Sequence, residues 1–212
     1  MSNQKSTQKK AGRPVDNQKN RAIIEAAQTL LFSRDKGAFS IEAVARLAGV
    51  SKSTIYTRYK NRSELIEEII FQRSKSYSLD FCNVPDNKQD MINMLNEFGL
   101  KLLAFLLSDE HLCFMRNMSQ VSSECPSILK KVYLNGPQAT LKQLTLWLNK
   151  IDQQAICSFK SPQTSAELFL GMLIGLNVVR SMYGEDCYIE NNDVVAHVKK
   201  VVGHFIAINA DS

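Results

Sequence analysis

The sequence predicts an all-α protein in two parts, a small N-terminal three-helix unit and a larger C-terminal helical region joined by a connecting helix. Apolar residues recur at helical spacing in the long segments, and no stretch alternates as a half-buried strand would. Within Ser40–Arg62, two short helical patterns meet at a glycine flanked by small residues. The charge is also divided. Residues 1–75 carry 15 Lys and Arg against 7 Asp and Glu, a formal +8, whereas residues 76–212 carry 11 against 14, a formal −3.

Residues 1–16, MSNQKSTQKKAGRPVD, are polar and aperiodic and read as a disordered basic arm. Gly12-Arg13-Pro14 has the character of a tripeptide whose guanidinium enters a narrow minor groove, so Arg13 is a candidate DNA contact. The first helix is expected over Gln18–Arg34, with Asp16 as cap, a stripe of Ile23, Ile24, Ala27, Leu30 and Leu31, and Gly37 in the turn that follows.

In SIEAVARLAGVSKSTIYTRYKNR, Ile41, Val44, Ala45, Leu47 and Ala48 fall on one helical face, and Ser40 stands where an N-cap belongs. Gly49 supplies the positive φ of a sharp turn. Val50 is small enough to plug the corner, Ser51 caps a second helix over Lys52–Tyr59, and Ala45 and Ile55 have the offsets from Gly49 at which the two helices pack. This is the pattern of a helix-turn-helix that reads double-stranded DNA. With Ile55 inward, Lys52, Ser53, Tyr56 and Thr57 project outward, a face of donors without a carboxylate, suited to phosphates and base edges. Ser40, Thr54, Arg58 and Arg62 complete the expected contacts, with Arg62 reaching a phosphate from the start of the fourth helix.

Further on, the fourth helix runs to about Tyr77 with Leu65, Ile66, Ile69 and Ile70 inward, and Phe81–Asn87 is a break at Pro85. Helices follow over Asp90–Leu107, His111–Val121, Ser127–Asn135 after Pro126, Gln138–Ile151 after Pro137, Gln163–Tyr183 and Asp193–Asn209. Phe98, Leu102, Phe105, Met115, Met118, Trp147 and Met172 offer aromatic and thioether surface for a small lipophilic effector, with Arg116 or His111 as polar anchor.

No nucleophile–base pair, phosphate loop or paired-carboxylate motif is present, and the three histidines are dispersed, so no enzymatic activity and no cofactor are expected. The five scattered cysteines form no CxxC pair, which argues against a metal site and for thiols in a reducing cytoplasm. No apolar leader opens the chain and no apolar block is long enough to span a bilayer, so neither secretion nor membrane insertion is expected.

The run AGVSKSTIYTRYKNRSEL resembles the DNA-binding signature of the TetR family of bacterial transcriptional repressors, carried by Ala48, Gly49, Val50, Ser51–Thr54, Tyr56, Tyr59, Arg62, Glu64 and Leu65. Tyr59 replaces the usual phenylalanine and Arg62 the usual lysine. Farther along, Met115-Arg116, Pro126, a tyrosine-containing helix and Phe169–Gly171 resemble the C-terminal domain of the AefR-like branch, with Val121 where an acid is usual.

The resemblance implies a ligand-responsive repressor that binds a palindromic operator as a homodimer. It assigns residues 17–62 to the DNA-binding domain, 63–80 to the connecting helix and 81–212 to the effector-binding and dimerisation domain. It also implies a dimer through the last two long helices, where Phe169, Leu173, Leu176, Val195, Val198 and Val202 form wide apolar bands and Gly171 and Gly175 permit close approach. The alternative is a DNA-binding regulator without small-molecule control, structural or redox-sensing.

Overall fold

A computed structural model of the chain describes residues 17–34, 39–76, 81, 83–124, 127–185, 189 and 193–210. Arg13 and its arm, the cap at Asp16, the turn at Gly37, the helix end at Tyr77, Pro126 and the thiols Cys82, Cys125 and Cys187 lie outside them. The described residues form helices and connecting turns, with no strand among them. In order they are α1 (Asn17–Leu31), α2 (Ile41–Leu47), α3 (Lys52–Tyr56), α4 (Arg62–Ser76), α5 (Lys88–Leu106), α6 (Asp109–Glu124), α7 (Ser127–Asn135), α8 (Pro137–Gln153), α9 (Pro162–Ile174), α10 (Asn177–Tyr183) and α11 (Val194–Ala210).

Local chemistry fixes many of the boundaries. Asn87 caps α5 by accepting from the Asp90 amide at 3.0 Å, Ser161 caps α9 through the Thr164 amide, and Asp193 caps α11 through the Ala196 amide at 2.9 Å. Pro137 opens α8, where its missing N–H leaves no helical bond unmade.

The single helix expected over Gln163–Tyr183 is two helices bent by 42°. Gly175 takes φ +50 and ψ −138, outside the helical region, and ends α9. The carbonyls freed by the break find side-chain partners. A His197 ring nitrogen lies 2.9 Å from the Leu173 oxygen, and the Asn177 amide donates to the Ile174 oxygen at 3.3 Å. Gly175 therefore serves the break, and a Cβ added at Gly171 would meet nothing within 4 Å in this subunit.

The buried apolar residues form two cores. The first holds Ile23, Ile24, Ala27 and Leu31 of α1, Val44 and Ala45 of α2, Ile55 of α3, and Leu65, Ile66 and Ile69 of α4. Phe114 and Met118 of α6 and Ile128 of α7 belong to the same core, so these helices of the C-terminal region pack with the N-terminal unit. The second core is built by α5, α8, α9 and α11, centred on Leu95, Phe98, Leu103, Trp147, Phe169, Leu173, Val198 and Phe205.

Fully burying a side chain of this size stabilises by about 1.5–3 kcal/mol, so each core contributes heavily to the fold. Helices α5 and α11 meet at Gly99, where an added Cβ would lie 2.8 Å from Val198 Cγ1 and 3.2 Å from Leu173 Cδ1. Overpacking typically costs about 1–3 kcal/mol, so Gly99→Val is expected to lower the urea midpoint of unfolding by that much stability.

Candidate nucleic-acid interface

Helices α2 and α3 are short, and their crossing is held by caps and by one plug. Ser40 Oγ accepts from the Ala43 amide at 3.1 Å, and Ser51 Oγ accepts from the Thr54 amide at 3.1 Å. Between them Gly49 turns the chain at φ +65, and the Val50 amide donates back to the Ala45 oxygen at 3.0 Å. Ile55 fills the corner with no solvent exposure. Behind it Tyr59 is buried, and its hydroxyl donates to Asn20 Oδ1 of α1 at 2.9 Å. This bond, across 39 residues, fixes the reader on its supporting helix.

The outer face presents Lys52, Ser53, Tyr56 and Thr57 to solvent, with Thr54 partly buried. The hydroxyls are ordered along it. Ser51 Oγ lies 2.8 Å from both Ser53 Oγ and Thr54 Oγ1, and Thr57 Oγ1 donates to the Ser53 oxygen at 2.7 Å. Tyr56 stands half-exposed at the centre, an amphipathic ring suited to a phosphate or a thymine methyl.

The structure alters three expectations here. The recognition helix proper ends at Tyr56, with Thr57 as C-cap, before the expected Tyr59. The reading face does carry a carboxylate, because Glu42 of α2 forms an ion pair with Lys52 across the turn. That hydrogen bond, more than the charge alone, holds the Glu42 carboxyl below its usual range. Arg58 folds back along α3, donating from Nη1 to the Thr54 oxygen at 3.1 Å.

The Arg62 guanidinium is engaged within the chain. Its Nη2 donates to the Phe39 oxygen at 3.1 Å, and its guanidinium carbon lies 5.0 Å from the centre of the Phe39 ring. Burial pushes its pKa below the ordinary guanidinium value. The N-terminus of α4 is already served by Asn61, which accepts from the Glu64 amide at 2.9 Å, while Glu64 accepts from the Lys60 amide at 2.6 Å.

Arg62 therefore braces the residue before the Ser40 cap and ties α4 to α2. Arg62→Gln is expected to lower affinity for every duplex while leaving the slope of log affinity against log salt unchanged. A slope flattened by about one unit would instead show a phosphate contact.

Apart from Phe105, the expected effector residues divide between the two cores. Phe98, Leu102 and Trp147 lie in the second core with Met172 packed against it, whereas Met118 is buried in the first core with Met115 beside it. Phe105 is half-buried, its ring 4.5 Å from that of His111. Arg116, expected as an anchor, donates to the Ser181 oxygen of α10 at 2.8 Å. Phe81 completes an aromatic cluster, 4.8 Å from Phe98 and 5.1 Å from Trp147, whose indole N–H donates to the Asn83 oxygen at 2.9 Å. An open groove of about 270 Å³ lies elsewhere, between α4 and α7, edged by Glu64, Glu67, Glu68, Phe71 and Lys131.

Four of the six expected dimer residues turn inward within the subunit. Phe169, Leu173, Val198 and Val202 are at most 2% exposed within one subunit, because α5 and α8 cover the faces that α9 and α11 turn inward. Leu176 and Val195 remain exposed, at 64% and 46%, and Leu168, Val179 and Met182 extend the uncovered apolar surface of α9 and α10.

Sequence reasoning missed Asn117 of α6. Its amide donates to the Leu31 oxygen at 2.8 Å and to the Ser33 oxygen at 3.0 Å, so it takes up carbonyls at the C-terminus of α1. Arg34 and Asp109 pair at 2.5 Å nearby, and the Phe32 and Phe114 rings lie 5.3 Å apart.

Cys113 and Cys157 are buried free thiols, and burial pushes the Cys157 thiol pKa up, away from the reactive thiolate. Among the described residues no group of three or more His, Cys, Asp or Glu could hold a metal ion. No single described helix is long and apolar enough to cross a membrane.

A tight helix-turn-helix with a donor-rich outer face, packed against a larger helical region, defines a DNA-binding transcriptional regulator. Residues 23–69 match the family model described as bacterial regulatory proteins, tetR family. Residues 93–209 match that of the AefR-like transcriptional repressor C-terminal domain. The chain belongs to the TetR family of transcriptional regulators.

It is 22% identical over 169 residues to the HTH-type transcriptional regulator YvkB of Bacillus subtilis, covering 78% of this chain and 85% of that one. A TetR-family regulator from Mesorhizobium loti shares the fold at TM-score 0.76 and 21% identity, over 91% of this chain and 96% of that one. So does the flavonoid-responsive regulator FrrA, at TM-score 0.73 and 23% identity, over 91% and 97% of the two chains.

Proposed function

We propose that this regulator is a repressor that binds a palindromic operator as a homodimer and is released by a small lipophilic molecule. The observation that carries the ligand response is the shared first core. Phe114, Met118 and Ile128 are packed with the helices that hold the reader, so a displacement of α6 or α7 cannot leave α1 and α4 unmoved. Asn117 adds a polar tie from α6 to the end of α1. Lys52, Ser53, Thr54, Tyr56 and Thr57 face the DNA in this reading. Arg58, folded along α3, steadies it, and Arg13 reaches the minor groove from the arm.

The effector enters the second region beside the aromatic cluster of Phe81, Phe98 and Trp147, where planar apolar rings complement a planar apolar ligand. FrrA is named as flavonoid-responsive, which makes flavonoids and simpler phenols the first molecules to try. To weaken operator binding a hundredfold, the ligand must favour the released conformation by about 2.7 kcal/mol.

Trp147 is the only tryptophan, so its emission is expected to report entry of such a ligand without interference from the reader. By linkage, that ligand must bind more weakly when operator is present. Binders with the same affinity with and without operator would contradict ligand control through this region.

A further inference from the structure

We infer that Glu42 is a specificity-determining residue of the DNA reader, holding the Lys52 ammonium in place so that it is offered to base edges rather than to the nearest phosphate. The inference rests on the DNA-reading role of α2 and α3. Lys52 opens α3 on the outer face, and Glu42 lies in the first turn of α2, so their ion pair bridges the two helices of the motif. Both side chains are more than half exposed, on the side that carries Ser53, Tyr56 and Thr57.

A lysine is a compact cation on a long flexible stem. Left untethered beside a duplex, it is free to pair with the charged and accessible phosphate oxygens. Backbone contacts bind every sequence alike. A carboxylate partner changes that balance in two ways. It opposes approach to any phosphate, and it narrows the positions the ammonium can occupy. The hydroxyls of Ser53 and Thr54, each 2.8 Å from Ser51 Oγ, limit the rest of the face in the same manner. Glu42 is thus expected to weaken binding to arbitrary DNA more than binding to the cognate site.

The test uses the full chain and two duplexes of equal length. One is the sequence the wild-type protein enriches from a random pool, and the other is its scrambled counterpart. Affinities are measured by fluorescence anisotropy across a salt series for wild type, Glu42→Gln, Lys52→Met and the double variant. Circular dichroism confirms the fold of each.

Glu42→Gln is expected to bind the scrambled duplex about three- to tenfold more tightly, with a salt slope steeper by about one unit. The selected duplex gains less, so the ratio of the two affinities falls by about threefold or more. In the Lys52→Met background, Glu42→Gln leaves that ratio unchanged, because there is no ammonium left to place. An unchanged ratio in the wild-type background, or an equal fall in the Lys52→Met background, overturns the inference. If the wild-type protein enriches no duplex at all, the DNA-reading role fails and the inference fails with it.

Discussion

Leu176→Arg combined with Val195→Arg is expected to leave a folded chain that sediments as a monomer and loses operator affinity by about 10² or more, since two linked half-site contacts become independent. Both residues are exposed apolar side chains on the surface that α9, α10 and α11 leave uncovered. A charge there remains solvated in the monomer and becomes costly only when a second copy buries it. Val198→Arg is expected to behave differently. Val198 is 1% exposed and packs against Gly99, so an arginine there puts an unpaired charge into the subunit's own core. That variant loses its helical circular dichroism instead of changing its assembly. A folded, monomeric Val198→Arg together with a dimeric Leu176→Arg/Val195→Arg would place the interface on the opposite faces of these helices.

The second large effect lies in the reader. Lys52→Ala with Tyr56→Ala removes a cation and an aromatic ring from the outer face while leaving the Ile55 plug, the Ser51 cap and the Tyr59–Asn20 bond intact. Each good base contact discriminates by about 1–3 kcal/mol, so the pair is expected to lower operator affinity by roughly a hundredfold at moderate salt. Thermal stability should hardly move, because both side chains face solvent. Unchanged operator affinity would mean that another face of the molecule meets the DNA.

The reader was legible in the sequence because its determinants are local. Two caps and a turn glycine fall within the span from Ser40 to Ile55, and each acts on residues a few positions away. What the sequence concealed was set by partners distant in the chain. Glu42 and Lys52 are ten residues apart, on different helices, and a face drawn from α3 alone omits the carboxylate. Arg62 has the right place for a phosphate ligand, yet Phe39, 23 residues earlier, supplies both a carbonyl and a ring to hold it.

The apolar bands of α9 and α11 were wide because these helices bury one face under α5 and α8 and leave another uncovered. Composition shows the total width but not how it divides between core and surface. Gly175 within an apolar run is tolerated in helices, and only its positive φ and the side-chain bonds from His197 and Asn177 reveal the break. The tie from Asn117 spans more than eighty residues and has no local signature.

In the proposed function this chain reads DNA as a symmetric pair through α3. The most direct measurement is the sequence it enriches from a random duplex pool, combined with the stoichiometry of the resulting complex by analytical ultracentrifugation. The expected result is an inverted repeat whose half-sites are centred roughly one helical turn apart, about 34–36 Å, or a multiple of it, with an even number of chains per duplex. Enrichment of a sequence without two-fold symmetry, bound by a single chain, would contradict it.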